Sequence, residues 1–176
     1  MDICRWIPET GTGLEHLTLR QTGDGLLAQG AVIGDDFGAF YSIRCDTAWR
    51  VRHAIVEMAG VGRLELHADG AGHWQDGQGA PIDALDGCID IDLTASCFTN
   101  TLPSRRLGGA LAARQEIVVA WVHLPALRVE SARQAYTRLA PHLVHFESLG
   151  TGFTAELTVD DDGLVVHYPG LFHRTD

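Results

Sequence analysis

The sequence predicts an all-β, mainly antiparallel fold, and three observations carry that prediction. Short runs of alternating or doubly apolar residues recur along the 176 residues, punctuated by Gly, Asp and Asn. The punctuation has hairpin chemistry: Thr22-Gly23-Asp24-Gly25, Ala59-Gly60-Val61-Gly62, Asp69-Gly70-Ala71-Gly72, Gly150-Thr151-Gly152 and Asp161-Asp162-Gly163 all supply residues that accept positive φ. A hydrophobic content of 45% over this length furnishes one sizeable core and too little for two. Residues 1–176 are therefore expected to form a single domain, and no internal repeat, low-complexity tract or Pro-rich linker divides them.

Taken in order, the expected strands are residues 3–7, 16–20, 25–33, 39–46, 49–58 and 63–68, then 116–124, 128–139, 143–148, 153–159 and 164–168. Tight turns make successive strands neighbours. The run Ile117-Val118-Val119-Ala120-Trp121-Val122 is apolar on both faces, which places it in the middle of the sheet with Trp121 buried. A sheet of so many strands rarely stays flat, and curling buries one of its faces. One segment is ambiguous: Val129, Ala132, Tyr136 and Leu139 fall at helical spacing, so residues 128–139 fit a helix about as well as a strand.

Charge and cysteine usage exclude several functions. The 13 Lys+Arg are outnumbered by 23 Asp+Glu, a net charge of −10, which lacks the basic stripe that nucleic acid requires. There is no leader pattern of basic, apolar and small residues and no apolar run of membrane-spanning length, so a cytoplasmic protein is expected. Cys4, Cys45, Cys88 and Cys97 form no Cys-x-x-Cys and read as buried thiols rather than a zinc knuckle or a disulfide framework. His142 and His145 match no metal-site signature, and no metal or cofactor is expected.

The unusual chemistry lies in residues 73–107. In Cys88-Ile89-Asp90-Ile91-Asp92-Leu93 the aliphatics share one face of a strand while Cys88, Asp90 and Asp92 share the other. Two carboxylates about 6 to 7 Å apart repel in a dry place and need cations, donors or water. The nearest cations in sequence are Arg105 and Arg106. Either the Asp face is the wet side of a half-buried sheet, or an Asp–Arg pair pins the loop that follows, with short helical turns around residues 99–106. Cys88 is a poor candidate nucleophile, because neighbouring carboxylates disfavour its thiolate.

These residues also carry a resemblance. Gly87-Cys88-Ile89-Asp90-Ile91-Asp92-Leu93, Phe98-Thr99-Asn100-Thr101-Leu102-Pro103, Arg105-Arg106-Leu107, Ala120-Trp121-Val122, Gln134-Ala135-Tyr136-Thr137 and the tail from Val159 to Leu171 resemble the bacterial glycolipid-binding family over nearly the whole chain. Ala95-Ser96-Cys97 departs from the family's Thr-Pro before Phe98, and Ser104 stands where an aliphatic is usual. The resemblance implies a single-domain spiral β-roll, a long curled sheet shaped like the periplasmic lipoprotein carriers. It implies a strand at residues 128–139 paired near Phe146-Glu147-Ser148, and a glycolipid or other amphiphile as ligand.

Two functional readings follow. In the first, an apolar cleft takes an acyl chain; Asn100 with Arg105 or Arg106 holds a phosphate or sugar at its mouth, Asp90, Asp92, Thr99 and Thr101 lie around it, and Trp74 or Trp121 stacks on a ring. In the second, Asp90 and Asp92 are the acid and base of a glycoside or ester hydrolase, although two residues on one face of one strand do not naturally flank opposite sides of a bond. A non-catalytic scaffold or interaction domain is a third possibility.

Overall fold

A computed structural model describes residues 1–175, of which the strands make one fourteen-stranded sheet. Strand accounts for 57% of the described residues and helix for 10%; the sheet is curled, mostly antiparallel and not closed into a barrel. Its first half comprises β1 (Asp2–Pro8), β2 (Leu14–Thr22), β3 (Gly25–Ile33), β4 (Gly38–Asp46), β5 (Val51–Met58), β6 (Gly62–Ala68) and β7 (Trp74–Asp76). The second comprises β8 (Asp90–Leu93), β9 (Gln115–His123), β10 (Arg128–Ala140), β11 (Leu143–Ser148), β12 (Phe153–Val159), β13 (Val165–Tyr168) and β14 (Phe172–Arg174). Between β7 and β8 and on to β9 runs a connector whose one α-helix, α1 (Thr101–Leu107), is flanked by short 3-10 turns. No helix among the described residues is long and apolar enough to cross a membrane.

Each half is a run of sequence neighbours, up-and-down from β1 to β7 and from β9 to β14, and β1 pairs with β14 to join them into one sheet. Positive φ falls on Gly60, Gly70, Gly152 and Gly163 in the predicted turns. In the β2–β3 hairpin it falls on Gly25, opposite Thr22. β5 starts at Val51 rather than residue 49 because Trp49 itself sits at φ +63° and donates its N–H back to Asp46 O. The ambiguous segment is strand: β9 and β11 offer ladders on both sides, with Gln134 opposite Ser148 and Tyr136 opposite Phe146, and tertiary pairing overrides its helical spacing.

Two expectations fail here. β9 is not central but next to last, flanked at the sheet's end by the short β8, and that pairing is parallel. Val119, Ala120 and Val122 are nonetheless buried, whereas Trp121 is only half-buried because a cleft opens beside its ring.

The concavity of the sheet is filled largely by the connector. Leu85, Cys88, Cys97, Phe98, Leu102 and Leu111 join one continuous core with Trp6, Leu17 and Tyr41 from the first half and Tyr136, Phe146 and Leu157 from the second. Trp6 Nε1–H donates to Val165 O and Trp74 Nε1–H to Cys88 O, both at 2.7 Å, so each indole is anchored at its polar end. The connector is also tied down by a buried carboxylate. Glu15 of β2 accepts hydrogen bonds from Tyr41 OH (2.6 Å), Ser96 Oγ (2.6 Å) and the Cys97 N–H (2.8 Å), together with the Phe98 N–H. Burial pushes its pKa up, and these four donors oppose that shift. Gly30 makes the arrangement possible: a Cβ there would lie 2.2 Å from the Tyr41 ring.

Far-UV circular dichroism should show a β spectrum with helix near the 10% of the structure; a helix content above about a third is incompatible with this fold. Glu15→Ala leaves two hydroxyls and two backbone N–H groups without their buried acceptor. Its unfolding free energy in urea should fall by about 3 kcal/mol or more, against about 1 kcal/mol for Ser96→Ala.

Candidate functional site

β8 brings two carboxylates into the interior and the structure treats them differently. Asp90 is completely buried, and Arg106 from α1 grips it in a fork, Nε to Oδ1 at 3.0 Å and Nη2 to Oδ2 at 2.5 Å. Burial raises the Asp90 pKa and the Arg106 guanidinium pulls it down. The Asp–Arg pairing expected from sequence is thus present, and the wet-face alternative is not.

Asp92 is held by neutral donors. Thr99 Oγ1–H donates to Oδ1 at 2.9 Å and Gln134 Nε2–H to Oδ2 at 2.6 Å. Behind them runs a directed chain: Asn100 Nδ2–H donates to Tyr136 OH, which donates to Gln134 Oε1, both at 3.1 Å. Every donor in this relay points toward the carboxylate, and such chains reinforce one another in a dry interior. Burial raises the Asp92 pKa, while Thr99 and Gln134 hold it down.

Asp92, Asn100, Gln134 and Ser96 form the polar floor of a cleft of about 260 Å³ on the concave face of the second half of the sheet. Its walls are aromatic: Trp121, Phe146, Phe153, Tyr168 and Phe172. Phe146 meets Tyr168 edge-on at 6.1 Å, and Phe153 lies 6.2 Å from Tyr168 between ring centres. The rim is apolar and wet, with Phe153 41% and Leu171 39% exposed.

The residues singled out in the sequence divide. Asp92, Asn100 and Trp121 line the cleft, with Thr99 directly behind Asp92. Arg105, Arg106 and Asn100 do not converge into a mouth, because consecutive helical residues project about 100° apart. Arg106 turns to Asp90, whereas Arg105 stacks over Trp49 at 4.8 Å and donates to Asp162 O. Trp74 is 1% exposed, with its ring in the core and its N–H on Cys88 O, so it presents no face for stacking. Thr101 is buried, its hydroxyl without a hydrogen-bond partner among the described residues. Cys88 is buried and its thiol is pushed up to about 11, first by burial and then by Asp90 and Asp86, which leaves it inert as a nucleophile.

Sequence reasoning missed Ser96, Gln134, Phe146, Phe153, Tyr168 and Phe172 as cleft residues. One signal was available: Gln134 and Tyr136 share a strand face and are two polar members of the Gln134-Ala135-Tyr136-Thr137 motif.

Fold and site together define a class, an open curled antiparallel sheet with a filled interior and one aromatic-walled cleft over a hydrogen-bonded carboxylate. The chain belongs to the glycolipid-binding family: residues 3–174 match the family model described as "Putative glycolipid-binding". It is also similar to a DUF1089-family protein from Pseudomonas aeruginosa, known from a crystal structure. That likeness has 43% identity and a TM-score of 0.82, and covers 95% of this chain and 94% of the other. A comparison with curated proteins finds no match.

Arg106→Gln strands the Asp90 carboxylate and should cost about 3 to 5 kcal/mol near neutral pH, and the double variant with Asp90→Asn should cost less than the sum of the two singles. The pH dependence has a definite sign. Asp90 already has a raised pKa, and losing Arg106 raises it further. The stability of a group with a raised pKa is kept at low pH and lost as pH rises through its folded value. Urea midpoints should therefore show the Arg106→Gln penalty shrinking on acidification.

Proposed function

We propose that this protein binds an amphiphile head-first, taking a neutral, hydroxyl-rich ring of the sugar type into the cleft and leaving its apolar part against the rim. The observation that carries this reading is the polarity gradient of the cleft. Ser96, Asn100 and Gln134 are buried around Asp92 at the floor, while Phe153 and Leu171 are exposed at the edge. Hydroxyl groups donate to a carboxylate, and the C–H faces of a ring pack on aromatic walls. The volume of about 260 Å³ lies just below the range of drug-sized pockets, which favours one ring over a long acyl chain.

An anionic head is disfavoured. Asp92 supplies negative charge at the floor, and the arginines that would attract a phosphate are committed to Asp90, Trp49 and Asp162. Hydrolysis is supported less well than binding. Asp90 is sealed under Arg106, so Asp92 alone of the two faces the cleft, and the opposed carboxylates of a glycosidase do not form. The family's description supports the same ligand class. Cys45, Cys88 and Cys97, buried as free thiols, support a cytoplasmic setting.

Monomeric octyl glucoside titrated into the protein should change the fluorescence of Trp121 saturably, and octyl sulfate should bind more weakly. Asp92→Asn removes a charge-assisted acceptor of about 1.5 to 3 kcal/mol, which is roughly a ten- to hundredfold loss of glucoside affinity. Absence of glucoside binding, or equal affinity in Asp92→Asn, would overturn the proposal.

A further inference from the structure

A second site lies on the opposite face of the sheet, in its first half. Along β5 and β6, Ala54, Val56, Met58 and Leu66 point into the core, so His53, Glu65 and His67 project from the other face. His53 and His67 are directly opposed across the two strands, and Glu65 is two residues before His67 on the same side. The hairpin thereby gathers three ligand-type side chains from positions twelve and two residues apart. His53 Nε2 is 2.9 Å from Glu65 Oε1 and His67 Nε2 is 3.6 Å from the same oxygen. The imidazole rings stack with centres 4.6 Å apart, and the three ligand atoms all lie within 4.8 Å of one another.

We propose that His53, Glu65 and His67 form a binding site for a divalent transition-metal ion of the zinc class. Two imidazole nitrogens and one carboxylate oxygen suit such an ion, and its tetrahedral bonds of about 2.0 to 2.2 Å put ligand atoms about 3.3 Å apart. The observed separations bracket that value, so the ion is accommodated by small side-chain rotations with the backbone fixed. Arg63 orients the carboxylate: its Nη2 holds Glu65 Oε2 at 2.8 Å, which leaves Oε1 as the oxygen shared with both rings. Such a partner on the far oxygen is the ordinary support of a ligating carboxylate. The charge of Arg63 is divided between Glu65 and Glu57, 3.6 Å from its Nε, which lessens its repulsion of the ion. His67 is 46% exposed, so the fourth position opens to solvent. The sequence gives no hint of the site, since His-x₁₁-Glu-x-His is not a recognised metal spacing and only the hairpin register brings the three together.

The test is calorimetric titration of the full chain, stripped with a chelator, with Zn²⁺ alone. One ion per chain should bind with micromolar or tighter affinity and raise the melting temperature. His67→Gln and His53→Gln should each weaken it by about tenfold or more, while His142→Gln, on the β10–β11 turn, leaves it unchanged. His67 is exposed, so its substitution leaves the core intact; circular dichroism of both His variants confirms folding. No saturable binding below about 100 μM, or unaltered affinity in both folded His variants, would overturn the site.

Discussion

Three carboxylates inside the curl of the sheet, Glu15, Asp90 and Asp92, constrain the path of everything packed there. An ion taken out of water costs several kcal/mol unless its acceptor sites are met, and the connector between β7 and β9 is routed so that each is met in a different way. Glu15 receives two hydroxyls and two backbone N–H groups from Tyr41 and the turn at residues 96–98. Asp90 receives a guanidinium from α1. Asp92 receives the hydroxyl of Thr99 and the amide of Gln134. The three solutions fix the connector to β2, to β8 and to β10. They also leave the three differently exposed: Glu15 and Asp90 are sealed, and Asp92 lines the cleft.

The same connector solves the problem of sheet ends. An open sheet leaves unpaired backbone groups at both edges, which invites association. Here one edge strand, β7, has three residues and is met by a bridge from Gln75 to Pro81, and proline has no N–H to offer a further strand. The other edge strand, β8, has four residues, and the Leu93 N–H on its free side is taken by Thr99 Oγ1 at 3.3 Å. Thr99 therefore serves twice, capping the edge and holding Asp92. Site and edge protection are one piece of structure.

Much of this was legible in the residues, and the parts that were not share a cause. Hairpin turns declare themselves through glycine, so the adjacency of successive hairpin strands followed. The charge rule that a dry aspartate demands a cation pointed to Arg105 or Arg106, and Arg106 is the one that pairs with Asp90. What failed were properties set by long-range contact. Glu15 lies just outside the expected strand 16–20 with nothing local to mark it, and two of its partners, Ser96 and Cys97, are about eighty residues away in the connector. The parallel β8–β9 pairing leaves no local trace, since the chain between them is the helical segment rather than a turn. Arg105 and Arg106 are adjacent letters on different faces of a helix, and only the fold assigns one to Asp90 and the other to Trp49.

The cleft is best understood as what remains when these demands are satisfied. Filling the concavity with Phe98, Leu102 and Leu111 removes the room a long chain would need. Committing both arginines to structural partners removes the positive charge an anionic head would need. Aromatic walls and one well-held carboxylate are left beside β8, with an apolar rim at Phe153 and Leu171. A raised pKa at such a residue costs stability, and that cost is tolerated most readily where the group meets a ligand. Polar groups deep and apolar groups at the edge dictate the orientation of any amphiphile that enters, ring inward and tail outward, because the reverse would bury a hydrocarbon against Asp92 and strand hydroxyls on Phe153.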